Sequence, residues 1–316
     1  MSDLPRFVRI HEEGPREGFQ IEAATIPTAE KVAFIEALAE TGIKQIDCVS
    51  FVNPQRVPGM ADAEDVIRFI RKKPGVRYTG LWLNTKGLLR ALQTPVDVVG
   101  AIRVTASETF CIKNTGMDVA QTLAEQRRWI AIYKEHKLPV EWGYVMTAFG
   151  CNYEGFVPPA RVVEMVGHVL DLAAEADIKL QGVYLADTVG WGTPLAMERV
   201  IGAVRERWPD LPLALHLHDT RGTGLSNAYA ALRLGVAQFD TTCAGLGGCP
   251  FAGHQGAAGN ICTEDMVFMC HEMGLDTGID IDKLIDCAHM AERIVGHPLP
   301  GKVMRGGSLT RYRKSA

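Results

Sequence analysis

Eight short β-branched or apolar runs, most followed by a longer stretch of helical period, constrain this chain more than any other feature. The runs are predicted as strands near Val8–Glu12, Gln45–Phe51, Thr79–Leu83, Val98–Val104, Val140–Thr147, Leu180–Leu185, Leu213–His218 and Phe239–Cys243. Helices are predicted near Ala29–Thr41, Asp62–Lys73, Gln121–His136, Pro159–Ala176, Pro194–Trp208, Leu225–Leu234 and Cys262–Met273, several opening with proline or a capping residue; the connection around Lys86–Ala91 has the weakest helical pattern. Repeated strand–helix units imply an α/β protein with a parallel sheet covered by helices. With eight units and no composition break or Pro/Gly/Ser linker, a single (β/α)8 TIM barrel over about residues 7–275 fits better than an open doubly wound sheet. A short helical C-terminal extension over about 276–316 follows, ending in a basic stretch that reads as a solvated terminus.

Composition removes several function classes. The chain has 316 residues, 47% of them hydrophobic, enough for a large core and too many for a disordered chain. A formal charge of −4 leaves no broad electropositive surface, so nucleic acid is not an expected partner. No window approaches the roughly 18–20 apolar residues that span a bilayer, so no membrane partner is expected either. The eight cysteines include no CxxC pair, which points to reduced thiols and a cytoplasmic setting.

A barrel places its chemistry at the strand exits, where the βα-loops converge. The seventh strand reads Leu213-Ala-Leu-His216-Leu-His218-Asp-Thr220. Its two-residue period sets the leucines on one face and both imidazoles on the other, Cα atoms about 6–7 Å apart, close enough to share one cation. A lone inward histidine is more often a satisfied core residue; a pair on one face at a catalytic rim favours divalent-metal ligation. The first strand exits into Gly14-Pro-Arg16-Glu17-Gly18, offering a carboxylate to complete such a site and a permanent cation for an oxyanion beside it. The bland alternative is a surface Arg–Glu turn. Asp47 and Asp187 stand near the exits of the second and sixth strands, and a carboxylate in an apolar strand must be paired or hydrogen-bonded. Either could simply serve an arginine. After the eighth strand, residues 244–260 hold six glycines among seventeen residues, a loop able to move, with Cys249 as an acid or base and Asn260 as an oxygen ligand.

Together these motifs resemble the 3-hydroxy-3-methylglutaryl-CoA lyase family: GPREGFQ (14–20), SFVNPQRVPGMAD (50–62), ASETF (106–110), ADTVGWGTP (186–194), HLHDT (216–220), AGLGGCPFA (244–252) and GNICTED (259–265), in order. The resemblance implies a homodimeric (β/α)8 barrel that binds Mg2+ or Mn2+ and cleaves an acyl-CoA thioester to acetyl-CoA and a 3-oxo acid. On matching positions, Glu17, His216, His218 and Asn260 would hold the metal. Arg16, Cys249, Asp187 and Asp47 would be the catalytic set, and Gln20, Ser107 and Thr220, with Arg16, would meet the substrate. The family usually has aspartate at position 17 and glutamate at position 47, so one side chain lengthens while the other shortens. These changes either compensate within one polar network or reshape the pocket for another branched acyl chain, and the second reading is the one expected here. The same barrel group also holds aldolases for 4-hydroxy-2-oxo acids and synthases that condense acetyl-CoA with 2-oxo acids, which would use the same histidine pair; a barrel that has lost its chemistry is the remaining alternative.

Overall fold

The computed structural model describes residues 4–22, 26–247 and 259–313. Strands and helices alternate as β1 (Arg9–Glu12), α1 (Thr28–Ala39), β2 (Gln45–Ser50), α2 (Ala63–Phe69), β3 (Arg77–Leu81), α3 (Thr85–Ala91), β4 (Gly100–Thr105), α4 (Glu108–Thr115), α5 (Val119–Glu135), β5 (Val140–Met146), α6 (Pro159–Glu175), β6 (Gly182–Asp187), α7 (Pro194–Arg207), β7 (Leu213–Leu217), α8 (Gly224–Arg233) and β8 (Gln238–Thr241). Then come α9 (Thr263–Glu272), α10 (Ile281–Val295) and α11 (Val303–Gly306). The strands order as β3-β2-β1-β8-β7-β6-β5-β4, the cyclic sequence order of a (β/α)8 barrel, as predicted.

The chain divides into two compact units. Among the described residues, one comprises 4–5 and Val98–Phe239. Within it, β4 to β7 pair parallel in succession, and Ala186 stands beside His216 in the β6–β7 register. Helix α6 buries Val162, Met165, Val166, Val169, Leu172 and Ala173, the stripe its period requires. The strand beneath gives way to it: a Cβ on Gly143 of β5 would sit 2.3 Å from Val169 Cγ1, so only glycine admits the helix at this distance. On the other face of these strands Tyr144 and Tyr184 stack with centroids 4.5 Å apart, Trp142 meets Tyr184 edge-on at 5.0 Å, and Ala214 of β7 closes the cluster. Ala214 lies on the histidine face of β7, while Leu213, Leu215 and Leu217 are buried on the opposite one, as the two-residue period required.

The other unit comprises, among the described residues, 6–22, 26–97, 240–247 and 259–313. Its strands β1, β2 and β3 are parallel, with a register shift between Asp47 and Val49 that marks a bulge at Cys48. Strand β3 begins and ends two residues earlier than predicted, because the Asn84 side chain caps α3 by accepting from the Gly87 amide and the chain must leave the sheet before it. Helix α4, in the first unit, was not predicted: eight residues is short, and its only sequence marks are the Ser107 cap and Gly116, which closes it at φ 77°. The seven cysteines among the described residues are buried free thiols, and no described helix is long and apolar enough to cross a membrane.

Candidate active site and metal centre

In the second unit, β1 ends at Glu12, and Glu13 leads into one π-helical turn, Gly14–Gly18. The amides of Arg16 and Glu17 both donate to the Glu13 carbonyl, at 3.1 and 2.8 Å, so this turn hangs from the strand end. Glu12 fixes its start: Oε1 accepts from the amides of Gly14 and Cys243, each at 2.8 Å, and Oε2 accepts from Thr263 Oγ1 at 2.6 Å. Gly14 must be glycine here, since a Cβ would lie 2.6 Å from that same Oε1.

Arg16 is 7% exposed and surrounded by carboxylates. Its Nη2 donates to Glu13 Oε2 at 2.6 Å, its Nε donates to Asp47 Oδ2 at 2.9 Å, and its Nη1 lies 3.4 Å from Glu17 Oε1. Burial alone would weaken the cation, but the three carboxylates outweigh it and hold the guanidinium pKa well above its usual value. The bulge at Cys48 is local to Asp47, whose other oxygen accepts from Thr79 Oγ1 at 3.3 Å. Glu17 and Asp47, the two positions at which the length changes trade off, therefore meet on one guanidinium. Compensation within one polar network would use this geometry. Asn260 Nδ2 donates to Glu17 Oε2, while Asn260 Oδ1 is buried and has no hydrogen-bond partner among the described residues. Gln20 accepts from Ser50 Oγ at 3.3 Å.

In the first unit, His216 and His218 stand together at the end of β7, ring centroids 5.2 Å apart and Nε2 atoms 3.2 Å apart. Asp187, at the end of β6, accepts from the amides of Trp191 at 2.7 Å and Gly192 at 2.9 Å. Its burial raises the carboxyl pKa, opposed by those amides and by both imidazoles. Thr220 Oγ1 is buried without a hydrogen-bond partner among the described residues. Ser107 is fully buried, accepting from the Phe110 amide and donating to Cys151 Sγ, each at 3.1 Å, which spends its hydroxyl on the α4 cap. Cys249 lies outside the described residues.

Two imidazoles with facing ring nitrogens, and a carboxylate joined to a carboxamide whose oxygen is spare and buried, are the donor types a hard to borderline divalent cation takes. The residues present therefore fit a metal.

Sequence reasoning missed Glu13. A glutamate just past a strand end looks solvated, and no feature of the local residue pattern marks it as buried. It also missed the buried acids beneath the turn. Burial pushes Glu12 up to about 8 and Glu264, which accepts from the Ala244 amide, up to about 7. Each carboxyl binds its proton more tightly folded than unfolded, so the stability it contributes is complete below about 4.5 and is lost as pH climbs towards 7 to 8. Chemical denaturation repeated across this window is expected to show stability falling with pH, by at most about 1.4 kcal/mol per pH unit for each group. Glu12→Gln keeps an oxygen for the two amides and should flatten the slope; an unchanged slope would mean that Glu12 is not the titrating group.

The HMGL-like family profile matches residues 7–291. The chain is 38% identical to rat "3-hydroxy-3-methylglutaryl-CoA lyase, cytoplasmic" over 306 residues, 96% of this chain and 85% of the relative. The crystal structure of a Bacillus subtilis HMG-CoA lyase superposes with a TM-score of 0.89 at 35% identity, covering 97% of this chain and 99% of that one. An Acinetobacter baumannii HMG-CoA lyase, in complex with coenzyme A and 3-methylmalate, gives a TM-score of 0.88 at 35% identity over the whole of both chains. A match of this length to the profile, joined to this identity over nearly all of the chain, shows that it belongs to the HMGL-like family of hydroxymethylglutaryl-CoA lyases.

Proposed function

We propose that this chain is a carbon–carbon lyase that cleaves 3-hydroxy-3-methylglutaryl-CoA, or a related 3-hydroxy-3-substituted acyl-CoA, to acetyl-CoA and a 3-oxo acid, acetoacetate for the parent substrate. The observation that carries the reading is the Arg16 guanidinium, buried and fixed by Glu13 and Asp47 beside the Glu17–Asn260 pair. Glu17, Asn260, His216 and His218 would hold the divalent cation, Mg2+ or Mn2+. Bound there, the cation would polarise the substrate's C3 oxygen and distal carboxylate and make the hydroxyl proton easier to remove.

The chain's own groups account for the rest. Loss of the hydroxyl proton turns the C3–O bond into a carbonyl, the C2–C3 bond breaks, and its electron pair moves into the thioester as an enolate. Arg16 has five N–H groups, and its contacts with Glu13, Asp47 and Glu17 leave N–H groups on both Nη atoms for that oxyanion. Cys249 then delivers a proton to C2, giving the methyl of acetyl-CoA. Asp47 holds Arg16, Asp187 orders the turn after β6 beside the histidines, and Gln20 and Thr220 line the substrate's path. Ser107, although the motif includes it, acts through the α4 cap. The chain would work as one catalytic domain, in a cytoplasmic homodimer; the rat relative is likewise named cytoplasmic.

The test is acetyl-CoA release from 3-hydroxy-3-methylglutaryl-CoA by purified protein with Mg2+ or Mn2+. Release should stop with EDTA, and Cys249→Ala should lower kcat by about 100-fold, the lower end of what a positioned proton donor contributes, with Mn2+ affinity unchanged. No release from this substrate or from larger 3-substituted analogues, but condensation of acetyl-CoA with 2-oxo acids, would move the chain to the synthases of the same barrel group.

A further inference from the structure

We infer that Glu13 is a positioning residue: its carboxylate fixes the orientation of Arg16 and adds to the negative charge concentrated beside Glu17, which would draw a divalent cation there. The inference rests on the proposed metal-assisted cleavage and deepens it.

Three carboxylates meet Arg16, each at a different nitrogen: Glu13 at Nη2, Asp47 at Nε and Glu17 at Nη1. A guanidinium is planar, so contacts on Nη2 and Nε fix its plane and leave the Nη1 edge to swing only with both. Glu17, also bonded to Asn260, is on this account a metal ligand and cannot be the anchor of Arg16 as well. Asp47 alone grips one N–H. Glu13 supplies the second point of a two-point clamp, and it comes from the residue whose carbonyl already carries the turn through the amides of Arg16 and Glu17. Backbone and side chain of one residue thus set both where Arg16 starts and where its head points.

The charge count favours the same role. Three carboxylates crowd one guanidinium, with side-chain exposures of only 8% for Arg16, 11% for Glu13, 12% for Glu17 and 14% for Asp47, so negative charge is concentrated in a largely buried place. Buried charge in excess is costly unless something opposes it. A divalent cation held by Glu17 and Asn260 would oppose it. Without Glu13 that concentration would be lower, and Arg16 would hold Glu17 more firmly, in competition with the metal.

The test uses the full-length protein and two readouts: Mn2+ affinity by calorimetric titration without substrate, and kcat and KM for 3-hydroxy-3-methylglutaryl-CoA. Glu13→Gln, nearly isosteric, is expected to weaken Mn2+ binding about 3- to 10-fold, as loss of one charge several ångströms away in a partly screened site does. It should also lower kcat about 10-fold with KM within about twofold, the signature of an interaction made in the transition state. Glu13→Asp keeps the charge and loses the reach, so Mn2+ affinity should hold while kcat falls. In an Arg16→Gln background the kcat effect of Glu13→Gln should shrink to less than about twofold, because the two act as a unit. Equal kcat effects in both backgrounds, or Mn2+ affinity unchanged in Glu13→Gln, would overturn the inference and leave Glu13 a packing residue. If the unmodified chain releases no acetyl-CoA, the proposed reaction fails by itself, and the Mn2+ titrations of Glu13→Gln and Glu13→Asp still decide the role of Glu13.

Discussion

Arg16→Gln is expected to lower kcat for acetyl-CoA release by about 10³-fold, the upper range for removing one preorganised donor from a developing oxyanion. The size follows from how much the structure commits to this side chain. Three carboxylates hold it, and a π-helical turn delivers it. Glutamine can bond one of those carboxylates but cannot offer charge to the enolate. Arg16→Lys should recover little, since an ammonium is a point donor and cannot occupy Glu13 and Asp47 in the same plane. Stability supplies an independent reading. Removing the cation strands buried carboxylates, a loss of about 3–5 kcal/mol where no other charge compensates. Added Mn2+ supplies that compensation, so the gap in melting temperature between Arg16→Gln and the unmodified protein should narrow on titration with metal. A gap that stays constant would mean that the carboxylates and the metal do not share one electrostatic site. Unchanged kcat would remove Arg16 from the reaction.

Why the strands were legible and parts of the site were not follows from the range of the forces involved. Hydrophobic period is a local property: Leu213, Leu215 and Leu217 alternate with Ala214, His216 and His218, and the alternation alone put the histidines on one face. The lone carboxylate of Asp47 could be flagged because burial without a partner is too costly, but its partner lies 31 positions away and the bulge at Cys48 leaves no trace in residue type. Glu13 was invisible for the opposite reason. A glutamate beside another glutamate carries no local sign of burial, and its role exists only once a turn folds Arg16 back over it. Likewise the compensation between Glu17 and Asp47 could be named from the sequence as one of two outcomes, yet only contact with a shared guanidinium favours it.

His216→Ala and His218→Ala should each weaken Mn2+ binding by more than about 100-fold, since loss even of a group that merely orients a metal ligand costs 10- to 100-fold. Activity at micromolar metal should vanish with it, and high Mn2+ should restore part of it. The pair itself poses the question that makes these variants informative. Nε2 atoms 3.2 Å apart are at hydrogen-bond distance, so one ring could donate to the other and the two would form a proton relay with no metal between them. A shared cation demands the other arrangement, in which both Nε2 atoms present lone pairs and both protons sit on Nδ1. The two readings separate on binding without any turnover. If the imidazoles are ligands, either alanine variant loses Mn2+ affinity while Cys249→Ala does not. If they form a relay, the alanine variants bind Mn2+ as the unmodified protein does and lose only kcat. In that case the cation rests on Glu17 and Asn260 with fewer protein donors, and its affinity should already be weak in the unmodified chain. Tight Mn2+ binding by the unmodified protein, abolished by either histidine substitution, is therefore the outcome that the buried, spare oxygen of Asn260 leads one to expect.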